Sequence, residues 1–256
     1  MVQRQRQHGI GFPLCSSVSS VVDEVFALDR LSIIIPTLNE AADIETALAS
    51  LQPLRARGHE VIVADGCSDD GTAGLAQPWA DRVIESVRGR ARQMNAGVPA
   101  ASGDVLLFLH ADTRLPDDAD RLICRGLEET NRGWGRFDIR IEGQHPVLGI
   151  VAWFMNRRSR LTSVCTGDQA IFVRRELFLR MGGYPPIDLM EDIALSKLLR
   201  RYSRPLRIAT PVATSARRWE AGGVWRTVVL MWWLRLRFFL GASPARLQRV
   251  YDAGRR

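Results

Sequence analysis

The stretch with the most chemistry in it is Asp104-Val-Leu-Leu-Phe-Leu-His110-Ala-Asp112-Thr-Arg. Its apolar run, Val105 to Leu109, is too short for a helix and suits a strand buried on both faces of a parallel sheet. Ligands of open α/β sheets gather beyond the carboxyl ends of such strands. A carboxylate at that point, Asp112, can hold a cation such as Mg²⁺, which takes one or two carboxylates together with phosphate oxygens and water. Asp112 also fits a second role, capping a helix that starts near Pro116 or sitting in a solvated turn. Spacing alone leaves both open. His110, an isolated histidine after a core strand, reads first as a packed side chain.

Other polar groups follow the same logic. Thr37-Leu-Asn-Glu40 and Asp65 with Ser68 to Thr72 each end an apolar run. Arg90 and Arg92 offer guanidinium donors matched to phosphate, or else sit on an exposed helix face. Glu191-Asp192 opens an amphipathic helix (Ile193, Leu195, Leu198, Leu199). Acidic residues in a first turn are favoured by the helix dipole. A carboxylate there can equally act as a general base.

Alternating strands and helices must position these groups. Strands are expected at Leu31 to Ile35 (ended by Pro36), Glu60 to Ala64, Arg82 to Glu85 and Val105 to Leu109. Helices are expected at Glu40 to Leu51, Thr72 to Gln77 and Gly89 to Ala101. Strand–helix alternation implies right-handed crossovers and a mostly parallel central sheet flanked by helices, an α/β fold. Beyond Leu115 the pattern loosens into a helix to about Glu129, a strand at Phe137 to Glu142, a helix from Pro146 and a short strand at Ile171 to Val173. Neighbouring parallel strands would bring the clusters at residues 37–40, 65–72 and 110–113 to one rim. A dinucleotide fold would carry GxGxxG after the first strand; Pro36-Thr-Leu-Asn-Glu stands there instead, and a P-loop is absent too.

With 256 residues, 46% hydrophobic, the chain can bury one large core. Four scattered cysteines without a CxxC pair indicate neither a zinc site nor a disulfide framework, which points to a reducing, cytoplasmic setting. Residues 1–29 read as a flexible extension, residues 30–216 as the α/β domain and residues 217–256 as a tail. Nine arginines against Glu220 and Asp252 place the whole net charge of +7 in that tail, which also holds four of the seven tryptophans. Its apolar run, Val228 to Leu240, is shorter than the ~20 residues a spanning helix needs. Mixed Arg, Trp and Leu suit amphipathic helices on an anionic membrane surface, hence a peripheral location on the inner face of the cell membrane. They suit equally a helix packed on the domain, in a chain with a single lysine, Lys197. No basic stripe elsewhere favours nucleic acid as a partner.

Taken in order, IIIPTLNE (33–40), VADGCSDDGT (63–72), GRARQMNAG (89–97), LFLHADT (107–113), TGDQAIFVRR (166–175) and MEDIALSKLLRR (190–201) resemble the family 2 glycosyltransferases, which have the GT-A nucleotide-diphospho-sugar transferase fold. The resemblance covers Leu31 to Trp219. Within the family, GRARQMNAG, LHADTRLP and SARRW are most similar to a small group linked to arsenosugar biosynthesis and found beside radical-enzyme genes.

The resemblance implies a single, inverting sugar transfer from a nucleotide-diphosphate sugar to a hydroxyl or carboxyl acceptor, small-molecule or lipid, assisted by Mg²⁺ or Mn²⁺. By it, Pro36, Thr37, Glu40, Asp65, Arg90, Arg92, Asn95, His110, Ala111 and Asp112 are donor-binding residues. Asp112 is the metal ligand, and His110 departs from the aspartate expected at the first position of the family's DxD. Asp192 is the base supported by Glu191. Gly167, Asp168, Gln169, Arg218 and Trp219 lie on the acceptor side, with Ser215 standing where processive relatives have glutamine. A nucleotidyltransferase and a non-catalytic sugar-nucleotide binder are the rival classes.

Overall fold

The computed structural model describes residues 30–217, 220 and 222–253. The expected N-terminal extension, Arg218 and Trp219 therefore lie outside the described residues. In chain order the first half comprises β1 (Leu31–Thr37), α1 (Ile44–Ala49), α2 (Gln52–Ala56), β2 (Glu60–Asp65), α3 (Thr72–Ala76), β3 (Arg82–Glu85), α4 (Arg90–Gly97) and β4 (Val105–Phe108). The second half comprises β5 (Thr113–Arg114), α5 (Ala119–Thr130), β6 (Trp134–Glu142), α6 (Val147–Thr162), β7 (Phe172–Arg174), α7 (Arg175–Arg180), α8 (Glu191–Leu199) and β8 (Leu206–Ser215). A long helix, Val224–Phe239, and a terminal helix, Pro244–Ala253, follow.

The strands form one sheet in the order β3-β2-β1-β4-β7-β6-β8-β5. Alternate side chains of the central strands leave by opposite faces. Ile33, Ile35, Val61, Val63, Val105 and Leu107 pack with α1, α5 and α6. Ile34, Ile62, Leu106 and Phe108 pack with α4, α7 and α8. Both faces being covered explains why these strands read as unbroken apolar runs.

The sheet is mixed, with parallel pairings in the majority. Strands β3, β2, β1 and β4 run parallel, and β6 is parallel to β8. Strand β7 is antiparallel to both β4 and β6, and β5 is antiparallel to β8. The cause is the turn at Gly167–Gln169, which sits at the carboxyl rim of β4; a strand leaving that rim must run back down the sheet. This reversal carries Gly167 and Asp168 to His110.

Two local expectations shift. Strand β1 runs through Pro36, because Pro36 faces the β4 side only after the β1–β4 pairing has ended at Ile34–Phe108. Its missing N–H therefore costs no ladder bond. The expected helix from Glu40 starts only at Ile44, because the N–H groups of Asn39, Glu40 and Ala41 donate to Ser68 Oγ, Thr72 Oγ1 and Asp70 Oδ2. Helix α2 then starts afresh with Pro53 in its first turn.

The two C-terminal helices dock on the rim. Leu234, Leu247 and Tyr251 form a third apolar cluster with Leu189, Met190 and Ile193 at the start of α8. Leu234 is fully buried, and burying a leucine side chain contributes about 1.5–3 kcal/mol. The amphipathic tail thus packs against the helix that carries Glu191 and Asp192.

Candidate active site

A cleft of about 450 Å³ opens where β1 and β4 end. Pro36, Thr37, Glu40, Arg90, Arg92, His110, Ala111 and Asp112 line it, as expected from sequence, and Glu191 closes one side. A smaller recess of about 50 Å³ is lined by Arg90, His110 and Glu191 as well, and adds Gly167, Asp168 and Asp192. Asp112 and Asp192 therefore line two adjacent cavities that share Arg90, His110 and Glu191.

The loops at the rim are fastened by buried hydrogen bonds. Asp65 accepts from Thr37 Oγ1 (3.0 Å), Ser68 N (2.8 Å) and Ser68 Oγ (2.6 Å). It is buried and braces Thr37 from behind. Gln93 donates to the carbonyls of Thr37 and Ala64 and so ties α4 to both strand ends. Glu40 reaches Arg217 Nη2 at 3.0 Å. Asn95 belongs to the scaffold: Nδ2 donates to Tyr184 O and Oδ1 accepts from Tyr184 N, each at 2.9 Å. Its amide is thus spent on the loop before α8, which corrects its assignment to the donor.

Helix α4 begins at the cleft, after Gly89 with φ of +126°. Its free N–H groups and dipole favour an anion there. Arg92 Nη2 lies 3.3 Å from Asp188 Oδ1 across the cleft. Arg90 is surrounded by acidic groups. Burial works against its charge, yet Glu191, Tyr251, Asp168 and Asp192 outweigh burial and hold its pKa above the ordinary value.

Helix α8 presents its two carboxylates differently. Glu191 is buried, and Asp192 is half-buried. Burial pushes the Glu191 pKa up to about 7; Asp192 beside it adds to that, and Arg90 opposes it. Asp192 Oδ2 accepts the Gly167 N–H at 2.8 Å and Oδ1 the Ile193 N–H at 2.6 Å. Each oxygen keeps a second lone pair, so Asp192 can still take a proton.

His110 joins the two halves. Its Nδ1 lies 3.3 Å from Asp168 Oδ1, near enough to pair but without a hydrogen bond's alignment. A side chain at Gly167 would collide with the imidazole. The ring at the first DxD position thus packs on the Gly167–Gln169 turn. Gln169 is fully buried, with Oε1 accepting from Thr166 N at 3.3 Å and Nε2 donating to Ser159 Oγ at 3.0 Å. It holds the turn in shape and does not face the cavity.

No cluster of three or more His, Cys, Asp or Glu able to hold a metal occurs among the described residues. Asp112 by itself fits a cation that arrives with a diphosphate, whose oxygens and water complete the shell. It does not fit a preformed protein cage.

Sequence reasoning missed the cleft's outer wall. Asp188 and Leu189, and Gln248, Tyr251 and Asp252 from the terminal helix, line it. Only the Leu247–Tyr251 spacing hinted at a docked face, and nothing local said where it would dock.

Residues 32–174 match the family described as Glycosyl transferase family 2. The PGL/p-HBAD biosynthesis glycosyltransferase of Mycobacterium tuberculosis is 31% identical over 182 residues, covering 62% of this chain and 64% of that protein. The chain thus spans somewhat under two thirds of that relative's length. An uncharacterized glycosyltransferase of Haemophilus influenzae is 27% identical over 204 residues, covering 71% and 66%. Among solved structures, the mannosyltransferase PcManGT of Pyrobaculum calidifontis, in complex with GDP-Man and Mn²⁺, superposes with a TM-score of 0.60 at 23% identity, covering 88% of this chain and 69% of that one. S. aureus TarS with UDP-GlcNAc gives 0.59 at 17%, covering 73% and 58%. At these identities the structures establish a shared GT-A-like fold.

Proposed function

Starting from the fact that the chain belongs to glycosyl transferase family 2, we propose that it transfers one sugar from a nucleotide-diphosphate sugar to an acceptor hydroxyl or carboxyl with inversion. One observation carries the reading: the cleft lined by Asp112 adjoins the recess lined by Asp192, with Arg90, His110 and Glu191 bordering both. Two structural neighbours are in complex with sugar nucleotides, GDP-Man and UDP-GlcNAc, which supports this donor class.

The nucleoside lies by Thr37 and Glu40, braced by Asp65, and the diphosphate meets the N-terminus of α4 with Arg90 and Arg92. Asp112 would hold the Mg²⁺ or Mn²⁺ that neutralises charge on the departing diphosphate. Arg90 adds a fixed cation preorganised by the acids around it. Asp192, on the far side of the sugar, receives the acceptor's proton as the acceptor oxygen bonds to the anomeric carbon. The bond from that carbon to phosphate oxygen breaks, and nucleoside diphosphate leaves with the electron pair. A single displacement of this kind inverts the centre. His110 and Asp168 fix the turn whose Gly167 N–H orients Asp192.

The finer placement in the arsenosugar-biosynthesis group rests on the spelling of Gly89 to Gly97, of Leu109 to Pro116 and of Ser215 to Trp219. No helix among the described residues is long and apolar enough to cross a membrane. Trp225, Trp232 and Phe239, each more than half exposed, support contact of the long helix with an anionic membrane surface; sedimentation with anionic liposomes tests it, and indifference to them refutes it.

The central test incubates pure protein with Mn²⁺ and a panel of sugar nucleotides. Release of nucleoside diphosphate is expected. A parallel mixture of nucleoside triphosphates and sugar phosphates tests nucleotidyl transfer, which would release pyrophosphate from the triphosphate; binding without turnover in either mixture would mark a non-catalytic binder.

A further inference from the structure

Five residues border both the donor cleft and the recess that Asp192 lines: Arg90, His110, Leu189, Glu191 and Tyr251. Tyr251 differs in kind from the other four. It comes from the terminal helix, and it joins an aromatic ring to a hydroxyl that can donate and accept. Its position follows from the helix that carries it. Residues three and four apart share a helix face, so Gln248, Tyr251 and Asp252 reach the donor cleft together, and all three line it. Gln248 Nε2 donates to Asp252 Oδ1 at 2.9 Å. On the adjoining side Leu247, 1% exposed, clusters with Leu189, Met190 and Ile193 and fastens the helix to the start of α8. Tyr251 is itself buried in that cluster. Its phenol interacts electrostatically with Arg90, so the polar end of the side chain, as well as its ring, serves the junction of the two cavities.

The reaction dictates what fills that junction. In a single displacement the departing phosphate oxygen and the incoming acceptor oxygen lie on opposite sides of the anomeric carbon. With the diphosphate at Arg90, Arg92 and Asp112 and the proton acceptor at Asp192, the sugar ring has to sit between them. A sugar presents hydroxyls at its rim and C–H bonds on its faces. A tyrosine matches both, with a hydrogen bond at the phenol and an apolar contact along the ring. We propose that Tyr251 contacts the transferred sugar and determines specificity for it, so that the terminal helix forms one wall of the sugar pocket. The inference rests on the transferase reading for where the sugar lies. It leaves the diphosphate to Arg90, Arg92 and Asp112.

The test measures binding and turnover by the intact chain, with Mn²⁺, of GDP-mannose beside GDP-glucose and of UDP-GlcNAc beside UDP-GalNAc. The members of each pair share a nucleotide and differ in the orientation of one sugar hydroxyl. GDP and UDP serve as sugar-free probes. Wild type should discriminate within at least one pair. Tyr251→Phe removes one hydrogen bond and should lower affinity for the preferred sugar nucleotide roughly three- to tenfold. Affinity for the free diphosphate should stay unchanged, which also shows that the variant folds. Tyr251→Ala removes the ring as well and should erase the discrimination. Leu247→Ala loosens the helix without removing a group that lines the cleft; it should lower the melting temperature and keep the discrimination. Equal losses for sugar nucleotide and free diphosphate in Tyr251→Phe would overturn the proposal, because Tyr251 would then act on the diphosphate through Arg90. So would discrimination unchanged in Tyr251→Ala, discrimination erased by Leu247→Ala, or a wild type that discriminates within neither pair. Turnover with the same sugar preference in every Tyr251 variant would sink this inference alone. A sugar-dependent affinity that Tyr251→Phe lowers, without release of nucleoside diphosphate from any donor, would sink the transferase reading instead.

Discussion

Replacing Glu191 by glutamine should make the protein more stable above neutrality and leave it unchanged in mild acid. Burial raises the Glu191 carboxyl from 4.5 to about 7, with Asp192 adding to the effect. Below pH 4.5 the proton is bound in both folded and unfolded chains, and the fold loses nothing. Between 4.5 and about 7 the unfolded chain ionises while the folded one does not, so stability falls as pH rises. Above about 7 the loss is complete. That displacement corresponds to roughly 3 kcal/mol at ~1.4 kcal/mol per pH unit. Glutamine keeps the shape and cannot ionise. Urea unfolding of both proteins at about pH 4.5 and about pH 8.5 should show the variant gaining roughly 3 kcal/mol over wild type at the higher pH only. A gain of the same size at both pH values would refute the reasoning, because it would then owe nothing to a buried charge.

Other expectations follow from the same geometry. In Gly167→Ala the new Cβ would lie 2.6 Å from His110 Cε1, which should cost about 1–3 kcal/mol of stability and lower turnover by roughly 100-fold through displaced groups. Thermal melting and product release read the two effects, and adding His110→Ala should restore the stability. Asp112→Asn should remove the Mn²⁺ dependence of nucleoside diphosphate affinity, a loss of roughly tenfold or more in Mn²⁺ and none in chelator; titration in both conditions measures it. At the opposite end of the sheet, burial would raise Asp120, but hydrogen bonds from Arg57 and His59 hold it down to about 2. Stability from this group is full above pH 3.8 and is lost as pH falls through about 2, so Asp120→Asn should flatten acid unfolding by about 2 kcal/mol.

Much of the site was legible because short apolar runs ending in polar residues mark strand ends. Strand β3 has the expected limits, Arg82–Glu85, and Val105 to Phe108 delivers His110 and Asp112 to the rim as anticipated. What escaped depends on partners distant in sequence. Trp134 to Arg136 extends β6 without alternation because both faces of the strand are buried from Trp134 to Ile139, Arg136 by pairing with Asp138. Gly135 is required there because the Phe172 ring leaves no room for a Cβ. The late start of α1 reflects loop side chains more than 25 residues away in sequence. Asn95 sits within a motif whose Gly89, Arg90, Arg92 and Gln93 line the cleft, yet its amide is consumed by Tyr184. Composition leaves the tail equally suited to a membrane surface or to packing on the domain, and the terminal helix's place over the cleft depends on three-dimensional packing against Leu189 and Met190.

The measurement closest to the core of this account is paired: donor binding and nucleoside diphosphate release for Asp192→Asn beside wild type, with the same sugar nucleotide and Mn²⁺. A proton acceptor separate from the diphosphate site predicts unchanged binding and a turnover lowered by at least ~100-fold. Turnover equal to wild type would contradict it, because the proton would then have left by another route.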